Sequence, residues 1–141
     1  MPEIDDIAMT VSMDSTPGVG AIMVLHNSAA DVDTALGSLV DHSVHLLAID
    51  NASSDGSVDL VRARSRPGLR VVALDRNTGF AGGCNRGFSE LPEDVRFVAS
   101  MNPDVRPAPD CLARCVQVME ADASIGAVAP LLVRADGATV D

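Results

Sequence analysis

Four short apolar runs punctuate the chain, each nearly unbroken: Val19 to Leu25 (VGAIMVL), Leu46 to Ile49 (LLAI), Val71 to Leu74 (VVAL) and Phe97 to Met101 (FVASM). Runs of this length, bounded by polar or turn residues, predict strands covered on both faces, as in parallel sheets. Helical periodicity fills the gaps. Val32, Leu36, Leu39 and Val40 form one stripe, and Ser28-x-x-Asp31 ahead of it reads as a variant capping box. Asp55 to Arg66 follows a Ser/Asp-rich cap and carries Val58 and Val61 on one face. Leu112, Cys115, Val116 and Met119 stand at i, i+3, i+4 and i+7, with Pro109 and Asp110 opening the helix. Such strand–helix alternation predicts an α/β fold: an open, mostly parallel sheet with flanking helices and right-handed crossovers. Val128 to Val140 reads as one more strand and turn. Residues 1–17, acidic and ending at Thr16-Pro17-Gly18, read as a flexible tail, leaving 18–141 as the folded unit.

Composition narrows the picture. A length of 141 residues suits one domain, and 47% apolar residues mark it as globular. With aromatic residues at 2% and no Trp or Tyr, the core has to be aliphatic. The net charge is −10 and every basic residue is Arg, a poor balance for sequence-independent nucleic-acid binding, which needs clustered cations. An anionic ligand here needs a bound cation, helix N-termini or a few placed arginines. Cys111 and Cys115, four apart, would share a helix face; they are half of a metal site without a second pair, and read as buried helix cysteines. Residues 1–17 lack the apolar stretch of a secretory leader, and no run approaches the ~18–20 apolar residues of a transmembrane segment. The expected location is cytoplasmic.

In open α/β sheets, ligands bind outside the carboxyl ends of the strands. Four successive strand ends are polar here: His26-Asn27-Ser28, Asp50 to Gly56, Arg76-Asn77-Thr78-Gly79 and Asn102-Pro103-Asp104. Asp50 is placed to accept hydrogen bonds from a ribose hydroxyl or a base N–H, although Asp also favours turns. The run Asp50 to Ser57 (DNASSDGS) is denser in turn formers than one tight turn requires, which favours a ligand loop. Gly79 to Gly87 (GFAGGCNRG) lets backbone approach either a ligand or the sheet closely, and Asn77, Asn85 and Arg86 add polar groups. It is neither a P-loop, which needs Gly-Lys-Ser/Thr, nor the dinucleotide fingerprint, which belongs after the first strand. Asn102-Pro103-Asp104 either ends a strand or offers oxygen ligands to a hard divalent cation. His26 reads as a stacking or polar contact, His42 and His45 as surface residues.

In chain order, VLHN (24–27), DNASSDGS (50–57), NTGFAGGCNRG (77–87) and MNPDV (101–105) resemble the signatures of family 2 glycosyltransferases. The likeness is greatest to the rhamnosyltransferase-like branch, where they read V-T-Y-N, D-N-x-S-x-D-G-S, N-x-G-F-A-x-G-x-N-x-G and L-N-P-D. The resemblance covers residues 19 to about 137. It implies a GT-A fold, Rossmann-like, whose first half binds a nucleoside-diphosphate sugar. By position, Asp50 would contact base or ribose, with His26, Asn27, Asn51, Asn77, Gly79, Asn85, Arg86 and Asn102 lining the donor site. Asp104 would hold Mg2+ or Mn2+, with Asn102 in place of the first aspartate of a DxD, and the cation would stabilise the departing diphosphate.

The resemblance further implies inverting transfer, with dTDP-rhamnose as a candidate donor and a glycan or lipid-linked acceptor of the cell envelope. It also implies a cytoplasmic enzyme, peripheral at the inner face of the membrane. Two departures stand out. Leu25-His26 replaces the usual hydroxyl residue and Tyr. The catalytic base is expected beyond Asp141, since Asp136 and Asp141 come too early, so the chain reads as truncated and as binding donor without efficient transfer. The alternatives are a non-catalytic nucleotide-sugar-binding module or one part of a split enzyme. A nicotinamide-binding domain is disfavoured by the missing glycine fingerprint. A half-domain would expose a sheet edge or apolar face and invite homodimerisation.

Overall fold

The computed structural model describes residues 18–39, 44–64, 66–134 and 136–139. The expected tail over residues 1–17, together with Val40 and His42, lies outside them. Strands and helices alternate as β1 (Val19–Leu25), α1 (Ala29–Ser38), β2 (His45–Asp50), α2 (Ser57–Ala63), β3 (Leu69–Ala73), α3 (Gly79–Phe88), β4 (Phe97–Met101) and α4 (Cys111–Ala121). The four strands form one sheet in the order β3-β2-β1-β4, all neighbours parallel. The chain steps outward from β1 to β3, then returns to place β4 on the other side of β1. That reversal makes the β1–β4 seam a topological switch point, where open α/β sheets form their ligand crevice.

The alternation of side chains along the two central strands builds a core on each face. Ala21, Met23 and Leu25 of β1, with Leu46 and Ala48 of β2, pack against Val32, Ala35 and Leu36 of α1, Val61 of α2 and Leu112 of α4. Ile22 and Val24, with Leu47 and Ile49, face the other way and meet Cys84 of α3. The unbroken apolar runs of β1 and β2 are thus explained by burial on both faces. Coverage on both faces does not hold for the outer strands, where β3 and β4 are only half-buried. Arg70 accordingly projects from β3 to pair with Glu90.

Four local expectations need correction. The β3 strand begins two residues before the apolar run, because pairing to β2 carries Leu69 and Arg70 into the ladder. Ser28 precedes α1 but makes no side-chain cap; its hydroxyl instead accepts from the His26 backbone N–H at 3.1 Å, while the Ala29 N–H donates to Asp55 at 2.8 Å. Among its described residues, the span expected as a further strand carries a single antiparallel bridge, Val133 to Thr139, closed by a turn with Gly137 at φ 84°. Cys84 of α3 is buried, whereas Cys111 and Cys115, expected to be buried, are half-buried on α4; burial and the neighbouring thiol push the Cys111 thiol up.

Candidate functional site

The loops after β1 and β2 are stitched to each other before either meets a ligand. The Asn27 N–H donates to the Ser53 hydroxyl at 2.9 Å, and the Ser54 N–H to the Asn27 side-chain oxygen at 2.9 Å. Ser28 N–H donates to the Ser57 hydroxyl at 2.9 Å, and Ser57 in turn donates to Asp55. Asp55 accepts from that hydroxyl and from the Ala29 N–H, and these bonds hold its carboxyl below the usual carboxylate range. The density of Ser and Asp in DNASSDGS is therefore largely a means of fixing the loop. Asn27 in the loop after β1 and Ala52 in the loop after β2 hold left-handed backbone at φ 50° and 59°.

Asn51 extends the stitching to the third loop. Fully buried, its side-chain oxygen accepts from the Thr78 N–H at 2.8 Å and the Thr78 hydroxyl at 3.1 Å, and its NH2 donates to the Gly79 carbonyl at 2.9 Å. Its own carbonyl lies 3.0 Å from Nδ1 of His26. A carbonyl only accepts, so Nδ1 carries the proton, and in the neutral imidazole Nε2 of the exposed ring is an acceptor. Asp50 is buried beside it: Oδ2 accepts from the Ser53 N–H at 3.0 Å, and Oδ1 has no partner among the described residues. A buried carboxylate oxygen without a donor is costly, about 1–3 kcal/mol or more.

The α3 helix sits where it does because it lacks side chains on one face. A Cβ on Gly83 would lie 2.7 Å from the Val24 side chain, and one on Gly87 would lie 2.6 Å from Ile22. These glycines serve contact between helix and sheet. Gly79, at φ 75°, serves the turn into α3.

Together the loops frame an open cleft of about 420 Å³ at the carboxyl ends of β1, β2 and β4. Of the residues expected to bind ligand, His26, Asn27, Asn51, Asn77, Gly79, Asn102 and Asp104 line it. Asp50, Asn85 and Arg86 do not: Asp50 is buried behind the wall at the end of β2, while Asn85 and Arg86 lie further along α3, where Arg86 pairs with Glu90 one turn on. Sequence reasoning missed Asp31 and Phe80 on its wall. Asp31 was absorbed into the capping pattern. Phe80 was hidden among the glycines, although an aromatic ring in a chain this poor in them was a usable signal. The carboxylates at the wall are Asp31 and Asp104, and no arginine lines it among the described residues. Nor do the described residues hold a group of three or more acidic, His or Cys side chains able to grip a metal by themselves. Exposed Asp104 with Asn102 beside it fits the Mg2+ pattern, in which the protein supplies one or two oxygens and the ligand's phosphates and water supply the rest.

A parallel sheet with a polar, acidic crevice at its switch point defines a doubly wound α/β protein, and its likeness to solved glycosyltransferases makes it of the GT-A type. The chain belongs to glycosyl transferase family 2, which its residues 21–139 match. It is 30% identical over 113 residues to the succinoglycan biosynthesis protein ExoO of Rhizobium meliloti, covering 78% of this chain and 32% of that one. It is 33% identical over 78 residues to undecaprenyl-phosphate 4-deoxy-4-formamido-L-arabinose transferase of Edwardsiella ictaluri, covering 53% of this chain and 23% of that one. Among solved structures, the mannosyltransferase PcManGT of Pyrobaculum calidifontis, in complex with GDP-Man and Mn2+, superposes with a TM-score of 0.74 at 26% identity, covering 87% of this chain and 37% of that one. TarS of S. aureus shares the fold, with a TM-score of 0.60 at 17% identity over 73% of this chain and 32% of that one. The chain thus spans about a third or less of the curated relatives it matches. No helix among the described residues is long and apolar enough to cross a membrane.

Proposed function

We propose that residues 18–141 form the donor-binding part of an inverting glycosyltransferase and hold a nucleoside-diphosphate sugar together with Mg2+ or Mn2+. The observation that carries this reading is the charge of the cleft: its carboxylates, Asp31 and Asp104, face no arginine at its wall among the described residues, which favours a diphosphate accompanied by a cation over a bare one. Asp104, with Asn102, would hold that cation, which supplies Lewis-acid stabilisation of the departing diphosphate when bound. Asp50 would accept from a base N–H or ribose hydroxyl through its unpartnered Oδ1. His26 would offer Nε2 to a donor hydroxyl, while Asn27, Asn51, Asn77 and Gly79 shape the wall; Asn85 and Arg86 would act only if α3 shifts.

dTDP-rhamnose is the first donor to test, with GDP-mannose beside it because PcManGT was solved with GDP-Man. The undecaprenyl-phosphate transferase among the relatives supports a lipid-linked acceptor, and the succinoglycan biosynthesis protein a glycan one. Exposed Leu131, Leu132 and Val133 support self-association, which sedimentation velocity tests.

The deciding experiment is calorimetric titration with dTDP, UDP and GDP, with and without divalent cation, on the chain and on Asp104→Ala. Cation-dependent binding, weakened at least tenfold in the variant, is expected. A folded chain that binds none of the three overturns the reading.

A further inference from the structure

The chain has three aromatic residues, and two of them are accounted for or lie away from the cleft. Phe97 is half-buried in β4 with the Arg96 guanidinium 5.2 Å from its ring centroid, and Phe88 ends α3 outside the cleft wall. Phe80 belongs to neither core cluster, is 47% exposed, and lines the cleft. A ring that size left half in water has no packing role to explain it. Its backbone is nevertheless firmly held. Gly79 before it is tied by the Asn51 NH2, and Gly83 and Gly87 seat the rest of α3 on β1.

The position along the sheet edge says which part of a donor the ring meets. Asp104 follows β4, and Asp50 ends β2; with β1 between them, the two lie two strand spacings apart, roughly 10 Å. That separation is comparable to the reach of an extended nucleoside diphosphate from base to terminal phosphate. A diphosphate held at the Asp104 end therefore directs its base toward the β2 end, where Asn51 pins the turn into α3, whose first turn carries Phe80. His26, tied through Nδ1 to the Asn51 carbonyl, presents a polar acceptor there rather than a free ring.

We propose that Phe80 is the platform on which the donor's nucleobase stacks, an assignment that rests on the donor-binding reading above. Every nucleobase offers a π-face, so the contact adds affinity without choosing the base, and choice is left to the hydrogen bonds of Asp50. Two variants test it. Phe80→Leu keeps apolar bulk but removes the π-face, and its fold is checked by circular dichroism. Phe80→Trp introduces the sole Trp of the chain, an emission reporter of its own stacking. With Mg2+ present, Phe80→Leu is expected to bind UDP, dTDP and GDP about tenfold more weakly, and each is expected to quench the emission of Phe80→Trp. Unchanged nucleoside-diphosphate affinity in a folded Phe80→Leu overturns the proposal. So does a loss seen with the nucleotide sugar but not with the sugar-free nucleotide, which would place the ring on the sugar. A wild-type chain that binds no nucleotide overturns the donor-binding reading and this proposal together, so the two failures are told apart.

Discussion

Asp50 and Asn51 are neighbours, equally buried, and look equally suited to a ligand, yet their hydrogen bonds divide them. Asn51 spends its amide on Thr78 and Gly79, whereas Asp50 leaves one oxygen unused. Replacing Asn51 by Ala removes three bonds and strands buried partners, so a loss of about 2–4 kcal/mol in urea unfolding is expected. Asp50→Asn keeps the Ser53 contact and removes a buried charge, so stability should stay within about 1 kcal/mol while nucleotide affinity falls. If both variants unfold alike, or Asp50→Asn binds nucleotide as well as the wild type, the division of labour is wrong.

Asp55 adds a pH signature. Its carboxyl is held down by the Ser57 hydroxyl and the Ala29 N–H, so its folded value lies below its unfolded one. The resulting stabilisation is complete above about pH 4 and is lost as pH falls through the folded value. Urea unfolding of wild type and Asp55→Asn should differ at neutral pH and converge in acid; a constant gap would remove Asp55 from the account. The sequence announced that this loop mattered, but not which residues serve the loop and which the ligand. That split depends on partners some 25 positions away, beyond the reach of any local pattern.

The elements were legible in proportion to their burial. The strands β1 and β2 are apolar without interruption because helices cover both their faces, and their limits follow the sequence closely. The outer strand β3 includes Arg70, which broke the apolar run and shifted the expected boundary. The glycines of α3 were the hardest to read, since close approach to a ligand and close approach to a strand call for the same residue. The structure separates these at Gly87: its missing Cβ leaves room for Ile22, fully buried and unable to yield. Gly87→Ala gains about 1 kcal/mol of helix propensity but overpacks the sheet contact by about 1–3 kcal/mol. A net loss of stability by thermal or urea unfolding is expected. A stabilised Gly87→Ala would mean that α3 rides free of β1, and the placing of Phe80 would fall with it.

At the scale of the whole molecule, a net charge of −10 surrounds a cleft whose charged walls are Asp31 and Asp104. Both the near and the far field repel a nucleoside diphosphate, and a divalent cation reverses only the near one. The two contributions separate by ionic strength, because the Debye length shrinks from about 30 Å at 0.01 M to about 8 Å at 0.15 M. Without divalent cation, raising sodium chloride over that range should tighten nucleotide binding, by screening repulsion. With saturating Mg2+, the dependence should flatten or reverse, since a cation held by Asp104 would offset the local repulsion at short range. The opposite result without cation, an affinity that falls with salt, is the behaviour of a basic site. It would mean that arginines outside the present wall, Arg86 among them, reach the diphosphate when it binds. The cation would then no longer be required by the charge of the cleft.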